Sequence, residues 1–81
     1  MKTYDDLSML IEKELSISRS SFSQDSLISE VENIDSMTYI QLIDAIEKHF
    51  AIKFDLSELI NVSALSGLSS LIEKNLSSTS S

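Results

Sequence analysis

Residues 35–50 read DSMTYIQLIDAIEKHF, and this stretch decides the fold. Its apolar residues recur every three or four positions, which is the spacing of one face of an α-helix. The pattern predicts a helix that begins at Ser36, ends near Phe50 and packs into a core. The residues of this predicted face are Met37, Ile40, Ile43, Ile46 and Phe50, with Leu42 and Ala45 widening it.

Asp35 and Ser36 stand at the predicted N-terminus of this helix. Both residue types are favoured as N-caps, so an ordinary cap is one interpretation. The position also places the Ser36 hydroxyl near the positive end of the helix dipole and near free backbone N–H groups. An anionic group attached to that hydroxyl would be stabilised there. A serine that carries a modification is therefore the second interpretation.

Two further segments show helical spacing. The first begins near Tyr4, and the last covers residues 65–76, with Ser63 as a candidate N-cap. A shorter segment, residues 56–60, is too brief to be helical alone and must be held by packing. The apolar positions of the first and last helices are Tyr4, Leu7, Leu10, Ile11, Leu15, Leu65, Leu68, Leu71, Ile72 and Leu76.

A long polar connection separates the first two helices. Residues 16–26 are rich in serine and predict a loop, and the apolar points after it leave room for a helical turn. The expected architecture is an all-α four-helix bundle with three main helices, a short third helix and a long first loop. We expect one domain over residues 1–76 and a disordered serine-rich tail over 77–81, which has no apolar anchor.

The composition excludes several kinds of site. The chain of 81 residues has no cysteine, which rules out disulfides and thiolate metal sites. His49 is the single histidine, so a histidine-based metal or catalytic cluster is also excluded. It lies nearly four turns from Ser36 on the same predicted helix, so no base is paired with a nucleophile. We expect neither a metal site nor an enzyme.

The net charge of −7 is unevenly distributed. Residues 1–47 hold ten acidic and three basic residues, whereas residues 48–81 hold three of each. The excess negative charge of the first half repels nucleic acid and anionic membranes and attracts basic protein surfaces. A net charge of this kind also keeps small domains soluble, which is the alternative interpretation. The N-terminus lacks the apolar run of a signal peptide, and no stretch approaches the ~20 apolar residues that span a bilayer. We expect a cytoplasmic monomer without nucleic-acid or membrane partners.

An aspartate–serine–apolar triplet occurs twice, at residues 25–27 and 35–37, and the residues downstream distinguish the two. Counted from Ser36, the sixth, tenth, eleventh, fourteenth and sixteenth residues are Leu42, Ile46, Glu47, Phe50 and Ile52. These positions match the acyl carrier protein family, in which the triplet opens the second helix. The same offsets from Ser26 fail. Over residues 3–76 the chain resembles this family, with Ser36 as the modified serine.

The resemblance implies a carrier that is not itself an enzyme. In the family, a phosphopantetheinyl transferase moves 4′-phosphopantetheine from coenzyme A to this serine as a phosphodiester. The thiol of the arm then holds acyl groups as thioesters for partner enzymes, which are loading ligases, synthases and transferases. Ser36 would be the attachment site, and Asp35 would assist the transfer by helping to hold Mg²⁺ in the transferase site.

The resemblance also implies two sets of contact residues. The partner-binding residues would be Met37, Thr38, Tyr39, Gln41, Asp44 and Glu47. The residues of the acyl cleft and core would be Ile40, Ile43, Ile46, Phe50, Ile60, Leu65 and Leu68.

Residues 25–33 compare with the family in two ways. Residues 25–28 look like the apolar anchor of the family's long loop. Where the family usually has leucine and glycine, this chain has Glu32 and Asn33. Asparagine readily adopts the left-handed backbone conformation, so the loop would keep its path. Val31 or Ile34 would then replace the missing leucine as an anchor.

The second helix is also less acidic than in carriers for general fatty acid synthesis. Acidic residues of those carriers are replaced here by Thr38 and Gln41, and Lys48 follows Glu47. We therefore expect a specialised carrier of a dedicated fatty-acid, polyketide or other secondary-metabolite pathway. The alternatives are an aminoacyl or peptidyl carrier, for example of the D-alanine type, and an unmodified helical interaction module.

Overall fold

Three long helices and one short helix form the fold in the computed structural model, which describes residues 2–79. Two single turns of 3₁₀-helix, Arg19–Ser21 and Ile28–Glu30, lie in the connection between the first two helices. The predicted four-helix bundle with a short third helix is confirmed. The helices are α1 (Lys2–Leu15), α2 (Ser36–Phe50), α3 (Leu56–Leu59) and α4 (Leu65–Thr79).

The core lies between α1, α2 and α4, and α1 packs against both of the other long helices. The largest side chains that are essentially inaccessible to solvent are Leu7, Ile11, Leu42, Ile46, Leu65, Leu68 and Ile72. Full burial of each such side chain stabilises the fold by about 1.5–3 kcal/mol. All seven lie at positions that the helical spacing predicts to be apolar faces.

The face of α2 that enters this core differs from the predicted face. Leu42 and Ile46 are buried, but Ile40 is 67% exposed and Met37 is 69% exposed. Met37, Ile40, Ile43 and Ile46 are spaced by three residues, and each such step falls about 60° short of a full turn of the helix. The three steps from Met37 to Ile46 add up to about half a turn, so these two residues lie on opposite sides of α2. The prediction of a core position was therefore wrong for Ile40. Ile60, which was predicted to belong to the acyl cleft or core, is 75% exposed.

Four buried side chains anchor the long connection between α1 and α2, namely Ile17, Phe22, Ile28 and Val31. The predicted anchors Ile28 and Val31 are confirmed, and Ile34 packs half-buried against the core. The backbone is also tied to the start of α4, because Ile28 N–H donates to the Ser63 carbonyl at 2.8 Å. Ser63 is not the N-cap of α4 as predicted, since the helix begins at Leu65 and Ala64 precedes it.

Asn33 adopts the left-handed conformation that the sequence predicts, with φ of 68°. Its side-chain amide donates to the Leu15 carbonyl at 3.0 Å, at the last residue of α1. That carbonyl belongs to the last turn of α1, where carbonyls have no partner within the helix. Asn33 therefore turns the chain toward α2 and also closes the end of α1.

The last helix is longer than predicted. It continues to Thr79, so the predicted start of the tail at Ser77 lies inside α4, while Ser80 and Ser81 lie outside the described residues. Within residues 2–79, no helix combines the length and the apolar character required to cross a membrane.

Two isoleucines of α2 test which face of the helix is buried. Ile46→Ala should lower the free energy of unfolding by about 2–5 kcal/mol, because it leaves a cavity in the core. The matched change Ile40→Ala should cost less than about 1 kcal/mol, because this side chain is mostly in solvent. Denaturation in urea measures both values. Equal losses would contradict the observed orientation of α2.

Candidate functional site

Ser36 is the first residue of α2 and lies at the edge of an open groove of about 650 Å³. The groove runs between the end of the long connection, the first turn of α2 and the segment around α3. Its apolar walls include Leu27, Ile34, Tyr39, Leu59, Ile60 and Val62. Ser36 itself is exposed, and within the described chain its hydroxyl makes no hydrogen bond. The serine is therefore open to an external enzyme and adjoins an apolar surface.

Asp35 and Thr38 fix the start of α2 through a capping box. The Thr38 N–H donates to Asp35 Oδ1 at 2.8 Å, and the Asp35 N–H donates to Thr38 Oγ1 at 2.7 Å. Thr38 thus takes the place that glutamate or glutamine usually has in this motif. The Thr38 N–H and then the Thr38 hydroxyl lower the pKa of the Asp35 carboxyl below its ordinary value of 3.8.

The capping box changes the expectation that free N–H groups would hold an anion at this helix end. The Thr38 N–H donates to the Asp35 carboxylate, and the Met37 N–H also lowers the pKa of this carboxyl. The carboxylate therefore occupies the electropositive helix end where a bound anion would be stabilised. An anion on Ser36 would instead lie beside this carboxylate, at the solvent-exposed surface.

The predicted partner-binding residues differ in how much of each is accessible. Met37 and Gln41 are exposed, whereas Tyr39 is half-buried in the groove wall, and this burial raises the pKa of its hydroxyl. Asp44 pairs with Lys48 at 2.9 Å, and Glu47 accepts a hydrogen bond from the Phe54 N–H at 2.8 Å. Thr38 is used in the capping box. Within the described chain, most polar groups of this set are already engaged by neighbours.

The predicted cleft and core residues divide into two groups. Ile46, Leu65 and Leu68 belong to the core, and Phe50 packs half-buried against it. The other three, Ile40, Ile43 and Ile60, line a second open groove of about 320 Å³ between α2 and α3. The remaining residues of that groove are Tyr39, Leu56 and Leu59. Sequence reasoning missed Leu56 and Leu59, although the apolar character of residues 56–60 was a signal for them.

The single histidine of the chain does not lie near Ser36. His49 lies at the other end of α2, where its Nε2 is 3.6 Å from an Asp6 carboxylate oxygen. Within residues 2–79, no three histidine, aspartate or glutamate side chains are grouped so that they could hold a metal ion.

Comparison with known proteins agrees with this geometry. The sequence matches the family model described as the phosphopantetheine attachment site over residues 5–72. The chain belongs to the phosphopantetheine attachment site family. A solved structure of similar fold is the solution NMR structure of holo acyl carrier protein from Geobacter metallireducens. The sequences are 25% identical and the TM-score is 0.86, with 98% of this chain and 91% of that chain covered. No curated protein matches the chain significantly.

Membership in the phosphopantetheine attachment site family establishes the kind of protein. The chain is a carrier of the acyl carrier protein type, and its cofactor is covalently attached 4′-phosphopantetheine. Carriers of this type are not themselves enzymes, which confirms the expectation from the sequence. Their partners are a phosphopantetheinyl transferase and the enzymes that load or use the cargo.

The capping box predicts an acidic pKa for Asp35. Carbon-13 NMR titration of its carboxyl group should give a pKa below 3.8 in the folded protein. Thr38→Val should raise this pKa part of the way, because it removes the hydroxyl donor and keeps the backbone donor. Thr38→Ser keeps both donors and should leave it unchanged. Because the pKa is depressed, the cap stabilises α2 above pH 3.8 and loses this effect as the pH falls through the folded value. An unchanged pKa in Thr38→Val would contradict the capping role.

Proposed function

We propose that Ser36 carries the 4′-phosphopantetheine arm and that the chain holds acyl intermediates on it as thioesters. The observation that supports this most directly is the exposed hydroxyl at the first residue of a 15-residue helix, beside an apolar groove. Ser26, in the second triplet, offers a contrast. It is half-buried, and its hydroxyl accepts a hydrogen bond from the Ser23 N–H at 2.9 Å within a turn.

The transfer step needs little from the chain besides a well-positioned hydroxyl. Ser36 Oγ would form a bond to the phosphorus of the pantetheine phosphate of coenzyme A and lose its proton, while adenosine 3′,5′-bisphosphate leaves. We expect the transferase to supply the base, because His49 lies nearly four turns away along α2 and the lowered pKa of Asp35 makes it a weak base. Both hydrogen bonds from Thr38 go to Oδ1 of the exposed Asp35 carboxylate, which would be the group that a cation of the transferase site meets beside Ser36.

The grooves next to Ser36 support an acyl cargo. Their walls are mainly aliphatic, and Tyr39 and Ile60 contribute to both of them. An alkyl chain attached through the arm would bury apolar surface there at about 25 cal/mol per Å². The core between α1, α2 and α4 is already filled by fully buried side chains. We therefore place the cargo in the surface grooves rather than inside the bundle.

The weak charge of α2 supports a dedicated pathway. Its first turn contains no acidic residue, and Asp44 is paired with Lys48 on the exposed surface. Enzymes that recognise a carrier through arginine and lysine would lose charge pairs here, which affects encounter rate and partner choice. We propose a specialised carrier that serves fatty-acid, polyketide or other secondary-metabolite synthesis outside general fatty acid synthesis.

Intact-mass measurement tests the attachment site. The apo protein, incubated with coenzyme A, Mg²⁺ and a broad-specificity phosphopantetheinyl transferase, should gain one phosphopantetheinyl group. Ser36→Ala should abolish the gain, and the matched variant Ser26→Ala should keep it. A gain that persists in Ser36→Ala would show that another residue is modified. No gain in the wild-type chain would favour the unmodified interaction module.

Kinetics with general fatty-acid-synthase enzymes test the dedicated pathway. The acyl-loaded protein should have a kcat/KM about tenfold or more below that of the enzymes' own carrier, which corresponds to about 1.4 kcal/mol of lost recognition. Gln41→Glu combined with Thr38→Glu should recover part of the loss, and glutamate at position 38 suits a capping box. Equal use of the wild-type chain would refute the idea. Loading by an aminoacyl-adenylating enzyme alone would favour the aminoacyl carrier.

A further inference from the structure

We infer that the phosphopantetheinyl transferase docks on an apolar patch of this chain and not on the carboxylates of α2. The patch consists of Met37, Ile40, Leu56 and Ile60, whose side chains are 69%, 67%, 74% and 75% exposed. The inference rests on the proposed attachment at Ser36. It adds the chemistry by which the enzyme recognises the surface around that serine.

The patch is continuous with the attachment site. Ile40, Leu56 and Ile60 line the groove of about 320 Å³, and Ile60 also lines the groove that reaches Ser36. Met37 follows Ser36 directly and lies one turn before Ile40 on the same side of α2. An enzyme that reaches the Ser36 hydroxyl must therefore cover part of this patch. Contiguous exposed apolar side chains are typical of interaction sites.

The chain holds the patch in place although α3 has only four residues. Asp55 caps α3 by accepting from the Ser57 N–H at 3.1 Å, and Glu58 pairs with Lys74 of α4 at 2.6 Å. Leu59, which is half-buried, packs against the hydrophobic core. Leu56 and Ile60 are thus presented outward by a tethered helix, while Leu59 provides its attachment. This arrangement gives a partner a preformed apolar surface.

The carboxylates next to the patch are engaged within the chain. Asp44 pairs with Lys48, Glu47 accepts the Phe54 N–H, and Glu58 pairs with Lys74. A basic residue of a partner would therefore compete with Lys48 for Asp44 and with Lys74 for Glu58. Lys48 would also repel it. Recognition through the patch needs no such exchange, because its four side chains gain by leaving water.

The wall of the Ser36 groove that faces away from α3 is formed by the long connection, and two acidic residues of this connection would orient the partner. Glu30 and Glu32 are exposed, and in the described chain neither forms an ion pair. They belong to the segment that contributes Leu27, Ile28, Ser29 and Ile34 to the groove. The complementary transferase surface is therefore an apolar ridge over α2 and α3, with basic residues on the side that faces Glu30 and Glu32.

Initial rates of phosphopantetheinyl transfer to the apo chain test this surface, with a broad-specificity transferase as the probe. Ile40→Ser and Leu56→Ser should each raise KM about tenfold and change kcat less than about twofold, because each removes a contact made on binding. Asp44→Asn should change KM less than about twofold. Met9→Ser, which alters an exposed apolar residue of α1 outside both grooves, serves as the matched control.

The dependence of the transfer rate on salt concentration tests the role of Glu30 and Glu32. Rates for the wild-type chain should fall with ionic strength, and Glu30→Gln combined with Glu32→Gln should remove most of that dependence. Far-ultraviolet circular dichroism and thermal melting verify that each variant is folded. A larger effect of Asp44→Asn than of both serine variants would overturn the inference.

Other occupants of the patch give different results. If a second copy of the chain covers it, sedimentation equilibrium will show a dimer that becomes monomeric in Ile40→Ser. If only the acyl cargo uses it, the serine variants will leave apo kinetics unchanged and destabilise only the acyl-loaded form. Either result overturns docking of the transferase. A wild-type chain that is never modified would refute the proposed attachment itself, before any comparison of variants.

Discussion

The reciprocal hydrogen bonds between Asp35 and Thr38 fix the residue at which α2 begins, and the geometry around Ser36 depends on this constraint. Asn33 brings the chain to that point by its left-handed turn and its bond to the end of α1. Leu42 and Ile46 then dock one side of α2 in the core. With its start and its buried side both fixed, α2 leaves Ser36 exposed and turns Met37 and Ile40 outward.

The same cap determines the electrostatic environment of Ser36. The Asp35 carboxylate already binds the Thr38 N–H, so a phosphodiester on Ser36 would share this helix end with another negative charge. At an exposed position, the repulsion between phosphate and carboxylate is screened by salt. Under the proposed attachment, the arm would be bonded to the chain without being bound by the helix end. Such an arm suits a carrier, which must present its cargo to successive enzymes.

Engagement of surface charges within the chain changes how the carrier would be recognised. A count of acidic residues alone suggests that basic partners read α2. The structure shows Asp44 and Glu58 in ion pairs and Glu47 bonded to a backbone N–H. The accessible groups near Ser36 are the Asp35 carboxylate and an apolar surface. Glu30 and Glu32, which form no ion pair within residues 2–79, lie on the opposite side of the groove. Charge would then contribute mainly to encounter, and apolar contact to the stability of the complex.

The sequence by itself determined the features that depend on neighbouring residues. Helical spacing located the three long helices, and the aspartate–serine pair marked the start of α2. The downstream register predicts Ser36 and not Ser26 as the modified serine. The conformation of Asn33 was predictable because few other residue types adopt positive φ readily. Each of these features is local in the chain, and helix formation or backbone sterics suffice to explain it.

Only the tertiary structure decided which side chains are buried and which carboxylates are engaged. An α-helix has 3.6 residues per turn, so apolar residues spaced by three do not stay on one side of it. The sequence pattern alone therefore did not show that Ile40 faces solvent while Leu42 and Ile46 face the core. The helix α4 begins at Leu65, two residues after Ser63, and the Ser63 carbonyl accepts from the Ile28 N–H of the long connection. Glu58 and Lys74 meet across two helices. Such contacts join residues far apart in the chain, and packing of the whole bundle sets them.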